Sequence, residues 1–399
     1  MIIIITIVTF GLSKLKGSLM THRGFPSLKQ FTLLALLLAL VVGCSQSGGS
    51  SASKPSDKPA AKGDQVASTD TKKADSKSAT PAPAAASKDA KSVELLNVSY
   101  DPTRELWKDV NAAFAESYKK DKGVDVTIKQ SHGGSGPQAR AVVDGLEADV
   151  VTLAIWSDVD AVRKAGLIDE NWESQLPNKS SPYSSTIVFV VRKGNPKKVK
   201  DWSDLVKDGI EVITPSPKTS GNGKLSFLAA WGSVSLNGGK EEDALKFVTE
   251  LYKRVPVLDT GARGATTTFA QKGIGDVHLT WESEAVLEVK EAKGELEIVY
   301  PPVSILADPP VAVVNANVKR KGTEQVAKDY LNFVYTEAGQ EIVAKHFYRP
   351  SNPQVLAKHA KSFPTLKLFA VTDVSKGWED AQKRFFADGG VFDQIYAKK

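Results

Sequence analysis

Four short stretches of this chain carry the residue types from which an anion site can be built. They are SYDPTREL around Asp101, SHGGSGPQ around Ser135, SPKTSGNGKLSF around Ser220 and Gly221, and DTGARGATTTF around Ala262. Each delivers the chain from a loop rich in Gly, Ser or Thr into a run with helical spacing. The first turn of a helix leaves backbone N–H groups without partners and carries the positive end of the helix dipole. Such an end is a prepared anion site, and glycine lets the backbone come close because it has no Cβ. Taken singly, each stretch reads more readily as an ordinary capped turn. Four of them in one chain point to a shared task. The dipole is worth only about 0.3–1 kcal/mol per helix end, and up to about 2 when partly buried. Taking a dianion out of water costs far more, so direct, charge-assisted hydrogen bonds must do most of the holding.

Signatures of catalysis are missing. The chain has no Gly-x-Ser-x-Gly elbow, no P-loop and no His-Glu-x-x-His. GNGKLS, Gly221 to Ser226, has the wrong spacing for a P-loop. His132 stands alone and reads as a packed or hydrogen-bonded structural residue. Glu282 and Glu284 read as a solvated face at a strand end. With one cysteine and five histidines there is neither a disulfide framework nor a zinc pattern. The expectation is a protein that is not an enzyme and takes no cofactor or metal. The formal charge of +6 is spread along the chain without a basic, aromatic-interleaved patch, so no nucleic acid is expected as a partner.

Periodicity gives the elements that must position these loops. Ser92–Tyr100 reads as an apolar strand, with Asp101 as a helix N-cap and Pro102 at the first helical position. Leu106, Val110, Ala113 and Phe114 then share one helical face. Val124–Gln130 alternates like a strand. Ala139, Val142, Val143 and Leu146 form the inner stripe of the next helix, and Asp149–Ala154 reads as a buried strand. This order is that of a doubly wound parallel sheet. A second set starts near Ser185–Val191. It takes in Ile210–Thr214, a helix through FLAAWGSV, the helix EEDALKFVTELYKRV and the strand Asp276–Trp281. Residues 297–314 read as strands and loops, and the tail from Thr323 as helical, clearest in KDYLNFVYTEAGQEIVAKH. Two α/β lobes joined by extended crossovers are expected; one large sheet is the alternative.

The N-terminal part is read apart from the fold. Phe31–Cys44, FTLLALLLALVVGC, has the length of a secretory signal and too few residues for the ~20 of a membrane span. Its end resembles a lipobox, which makes Cys44 a lipidation site and residues 1–44 a signal segment. MTHRGFPSLKQ makes a normal leader, so translation is expected to start at Met20 and not Met1. Residues 45–92 are low in large apolar side chains and read as a disordered tether.

The folded part resembles the bacterial periplasmic sulfate-binding proteins, the receptors of sulfate/thiosulfate ABC importers. The resemblance covers nearly all of residues 93–399. It rests on LLNVSYDPTREL, QSHGGSGPQA, EADVVTLA, YSSTIVFVVRKGNPK, VITPSPKTSGN, LDTGARG, GIGDV, FYRP and FADGGVFDQI. It implies a type II periplasmic-binding-protein fold, with lobe 1 at about 93–176 plus 283–399 and lobe 2 at about 177–282. The hinge is expected near 174–184 and 282–286. It also implies a dehydrated sulfate held by hydrogen bonds, with no basic side chain as direct counter-ion. The donors would be the backbone N–H of Asp101, Ser135, Gly221, Asn222 and Ala262, the Ser220 hydroxyl and the Trp281 indole N–H. Asn222 stands where the family usually has a second glycine, and Asn tolerates left-handed backbone better than most residues. Arg263 would support its loop without touching the ion. The implied partners are sulfate, possibly thiosulfate, and the membrane permease of the importer. A receptor for thiosulfate or another tetrahedral oxyanion such as molybdate is the nearest alternative. A sulfate- or phosphate-ester hydrolase and an adhesive lipoprotein are the rivals from other classes. The expected protein is a monomer, exported to the periplasm and held to a membrane by the lipid on Cys44.

Overall fold

The computed structural model describes residues 92–397. The expected signal segment, the lipidation expected at Cys44, the tether expected up to residue 91 and the choice between Met1 and Met20 lie outside the described residues. Among the described residues, eleven strands form two sheets. The strands are β1 (Ser92–Tyr100), β2 (Asp125–Gly133), β3 (Val150–Thr152), β4 (Tyr183–Arg192), β5 (Val212–Ile213), β6 (Val277–Trp281), β7 (Leu296–Val299), β8 (Val303–Ala307), β9 (Val311–Val313), β10 (Arg349–Pro350) and β11 (Lys367–Phe369). The fold is α/β with two sheets, not one.

The first sheet has the order β2-β1-β3-β9; β1 is parallel to β2 and β3, and β9 is antiparallel. Helices cover both of its faces. Leu95, Val150, Val311 and Val313 pack on one side with Leu106, Trp107, Val110 and Phe114 of the helix Arg104–Lys122. Val98, Val151 and Ala312 pack on the other with Ala139 and Val142 of the helix Ser135–Val143. Val143, expected on that inner stripe, is exposed because the helix ends there.

The second sheet has the order β11-β8-β4-β6-β5, with β7 and β10 also pairing with β4. It is mixed: β6 runs antiparallel to β4 and parallel to β5. The apolar run of β4 splits by alternation. Ile187, Phe189 and Val191 face one core cluster, and Val188 and Val190 face another. A strand buried on both faces needs such a run.

Sheet membership departs from the expected lobe boundaries. β7, β8 and β11 come from 283–399, yet β7 and β8 bond to β4, and β11 bonds to β8. Phe369, Trp378, Phe385, Phe386 and Phe392 pack with Phe227 and Trp231 of the helix Gly221–Ser235. The aromatic surface of that helix draws the C-terminal tail to the second sheet. The stretch read as one helical piece from Lys328 is two helices, Glu324–Phe333 and Glu337–Lys345. Thr336 separates them by capping the second, its Oγ1 accepting from Gly339 N at 3.2 Å.

Candidate functional site

β2 runs three residues further than periodicity suggested, through His132 and Gly133, which pair with Ser99 and Tyr100. The helix then begins at Ser135, so Gly134 is the whole connection. A Cβ on Gly134 would lie 2.8 Å from Thr219 O and 3.0 Å from Thr260 O. The loop is bare because two facing loops press their carbonyls against it. Gly221 is equally confined: its Cβ would meet Ala154 Cβ at 2.4 Å.

These contacts gather the loops around one small cavity. It is lined by Asp101, Ser135, Ser220, Gly221, Asn222, Ala262 and Trp281, together with Tyr100, Pro102, Gly133 and Gly134. All seven residues expected at the site are thus brought together. The cavity volume is about 10 Å³, room for about one water-sized sphere. That is far below the several hundred Å³ of clefts that take organic ligands. A cleft of about 390 Å³, lined in part by Trp156, Lys179, Asp308 and Trp378, shares no residue with it.

Ser135 and Ala262 are the first residues of the helices Ser135–Val143 and Ala262–Thr266. Gly221 and Asn222 are the first two of Gly221–Ser235. Helix geometry leaves such N–H groups without intrahelical partners. Ser220 caps the last of these helices, its Oγ accepting from Gly223 N at 3.4 Å, which leaves the hydroxyl proton to donate elsewhere. Ser135 Oγ accepts from Ala154 N at 3.0 Å and so ties its helix to the segment after β3.

Asp101 differs from its expected role. It opens a 3-10 turn, Asp101–Thr103, whose N-cap is Tyr100 and which has no side-chain cap hydrogen bond. One carboxylate oxygen lies 3.6 Å from Arg104 Nη2, and the other crowds the Cβ position of Gly261. Burial raises its pKa, against the lowering effect of Arg104 and Arg263. Asn222 also differs. It has ordinary helical backbone, and no left-handed residue is needed there. Its Nδ2 donates to Leu279 O at 3.1 Å.

Trp281 ends β6, is wholly buried, and has no protein partner for Nε1. Buried donors of this kind call for a reason, and the cavity beside it supplies one. Its ring packs 5.4 Å from that of Tyr100. Tyr100 was missed in the sequence, where only its place before Asp101 marks it. His132 is structural: its Nδ1 is 3.2 Å from Tyr100 O and its Nε2 2.7 Å from Gln130 Oε1. Burial pushes its pKa below the usual imidazole value.

Arg263 does not line the cavity. Its Nη2 donates to Glu105 Oε2 at 3.1 Å, and its Nε lies 3.3 Å from Glu284 Oε1. Glu282 and Glu284, read as a solvated face, are buried in the first turn of the helix Glu282–Glu291. Glu282 takes a two-bond clasp from Arg349 at 2.7 and 2.8 Å. Their distant arginine partners leave no local trace in sequence. Among the described residues, no three His, Cys, Asp or Glu side chains are placed to hold a metal. No described helix is long and apolar enough to cross a membrane.

The family model for bacterial extracellular solute-binding proteins matches residues 96–349. The chain is 54% identical over 314 residues to the sulfate-binding protein of Escherichia coli (strain K12), spanning 78% of this chain and 95% of that one. It is 52% identical over 305 residues to the thiosulfate-binding protein of Pseudomonas aeruginosa, spanning 76% of this chain and 92% of that one. Among solved structures, the sulfate-binding protein SubI from Mycobacterium tuberculosis H37Rv matches with a TM-score of 0.68 at 34% identity, covering 73% of this chain and 99% of that chain. The type II fold of periplasmic solute-binding proteins is common to this chain and these neighbours.

Proposed function

We propose that this chain, which belongs to the bacterial extracellular solute-binding protein family, is the exported sulfate receptor of an ABC-type sulfate/thiosulfate importer. Membership makes it a solute-binding protein and not an enzyme. The observation that carries the reading is the convergence of three helix starts, one 3-10 turn and an unpaired indole N–H on a single small cavity. Backbone N–H groups of Asp101, Ser135, Gly221, Asn222 and Ala262, the Ser220 hydroxyl and Trp281 Nε1 hold the dehydrated anion. Among the described residues, no Lys or Arg lines the cavity, so hydrogen bonds carry the charge without a direct counter-ion.

Such a site selects by protonation. Sulfate carries no proton at neutral pH and accepts every bond. Hydrogen phosphate must donate one, and a buried donor without an acceptor costs about 1–3 kcal/mol. The names of the relatives give weight to a second reading, thiosulfate; molybdate is the further alternative. The two sheets belong to lobes that close on the anion by rotation near 174–184 and 282–286. The receptor acts as a monomer in the periplasm, anchored through lipid on Cys44, and delivers its anion to a membrane permease.

Isothermal titration of the purified protein, dialysed free of sulfate, with sulfate, thiosulfate, molybdate and phosphate tests the reading. Tight one-to-one sulfate binding with phosphate at least tenfold weaker is the expected result. Absence of heat with all four, from protein shown to be folded, overturns it.

A further inference from the structure

We infer that the Asn222 side chain is a positioning residue, clamping the start of the Gly221–Ser235 helix to the end of β6 so that the Asn222 N–H and the Trp281 indole N–H are held at a fixed spacing. The inference deepens the sulfate reading and rests on it. Three observations support it. β5 pairs with β6 only at Val277 and His278. Beyond His278, Leu279–Trp281 therefore has a strand on the β4 side alone. Along that strand end, Asn222 Nδ2 donates to Leu279 O at 3.1 Å.

The bond joins two elements that arrive from different parts of the chain, and each contributes a residue to the cavity wall. Asn222 is almost wholly buried and Trp281 completely so, and the Trp281 Nε1 donor has no protein partner to orient it. The ring contact with Tyr100 limits the tilt of the indole but does not join it to the helix start. An ion that bridges two donors needs both within about half an ångström of their working positions, and this is secured by hydrogen bonds behind the donors. A glycine here would keep the backbone N–H and lose the clamp.

The test uses Asn222→Ala, which keeps the backbone donor and helix propensity, together with Trp281→Phe and the double variant. Sulfate titrations of the full chain are expected to show about tenfold weaker binding for Asn222→Ala. Added to Trp281→Phe, the same change should cost less than threefold, because the indole it positions is gone. Equal affinity for Asn222→Ala and the parent, or losses that multiply in the double variant, would overturn the inference. Melting curves establish that each variant folds. Should alanine not fold, Asn222→Ser serves, since its hydroxyl is too short to replace the amide. An independent readout is the indole N–H spectrum of the ligand-free, ¹⁵N-labelled protein, with the Trp281 signal identified by its loss in Trp281→Phe. Asn222→Ala should shift or broaden that signal while the other six of the seven tryptophans stay in place. An unmoved Trp281 signal also overturns the inference. If the parent itself does not bind sulfate, the functional reading fails, and the ligand-free spectrum still decides the clamp.

Discussion

Trp281 shows how one side chain can serve two ends. Its ring belongs to the main core cluster of the second sheet, while Nε1 is a buried donor without a protein partner. Trp281→Phe keeps the bulk and removes the donor. A hydrogen bond to a charged acceptor is worth about 1.5–3 kcal/mol, so sulfate binding is expected to weaken roughly ten- to a hundredfold with little change in melting temperature. Calorimetry and a thermal melt on the same sample check both halves. Unchanged affinity would leave Trp281 a core aromatic only. This donor was legible in the sequence through the family resemblance alone, since a tryptophan at a strand end is ordinarily core. Asp101 lines the cavity but differs in its local role: the bulky Tyr100 takes the cap position, and the carboxylate turns toward the Gly261 loop. The partners that bury Glu282 and Glu284 lie far off in sequence, at Arg349 and Arg263, where no local pattern announces them.

At the scale of elements, the glycines of the site loops have separate duties. Gly221 starts its helix against Ala154, and an added Cβ would meet the Ala154 Cβ at 2.4 Å. Neither atom sits at the end of a flexible chain, so Gly221→Ala must displace the helix start. Overpacking of this kind costs about 1–3 kcal/mol. The expected result is a lower melting temperature together with at least tenfold weaker sulfate binding, read by differential scanning calorimetry and titration. Gly136 is the contrast. A Cβ there would sit 3.6 Å from Thr219 O in ordinary contact, within a helix and at negative φ. Gly136→Ala should be neutral or stabilising by about 0.5–1 kcal/mol. Equal effects of the two changes would refute the steric account. The strand and helix order was readable because each sheet is buried on both faces and so marks its strands with apolar runs. Loop ends were not, since β2 continues into the glycines by pairing with β1, a long-range contact that periodicity does not carry. The return of the tail from β11 onward to the second sheet was hidden for the same reason: its aromatics meet Phe227 and Trp231 only in three dimensions.

The whole molecule places a cluster of ionisable groups beside the site, with Glu284 and Glu288 buried and Arg263, Glu105 and Asp101 partly exposed, and its stability must follow pH accordingly. Glu284 is 2% exposed, faces Arg263, and has Glu288, Glu105 and Asp101 as negative neighbours. Burial first, and the neighbouring carboxylates next, raise its pKa to about 7 against the pull of Arg263. The folded state thus holds this proton more tightly than the unfolded chain, whose glutamate titrates near its ordinary value of about 4.3. The resulting stabilisation is complete below that ordinary value and is lost as pH rises through about 7. A rise of that size is worth about 3–4 kcal/mol. Glu284→Gln keeps the shape of the neutral acid and cannot ionise. Its stability relative to the parent should therefore improve from pH 5 to pH 8 by up to about 3 kcal/mol, although loss of the Arg263 partner lowers the starting level. Urea melts of both proteins at the two pH values measure the difference, in which the titration of every other shared group cancels to first order. A difference that stays flat between pH 5 and pH 8 would mean that Glu284 is already ionised at pH 5, with Arg263 outweighing its burial. The carboxylate would then be a fixed counter-charge holding the Ala262 loop in place at all working pH.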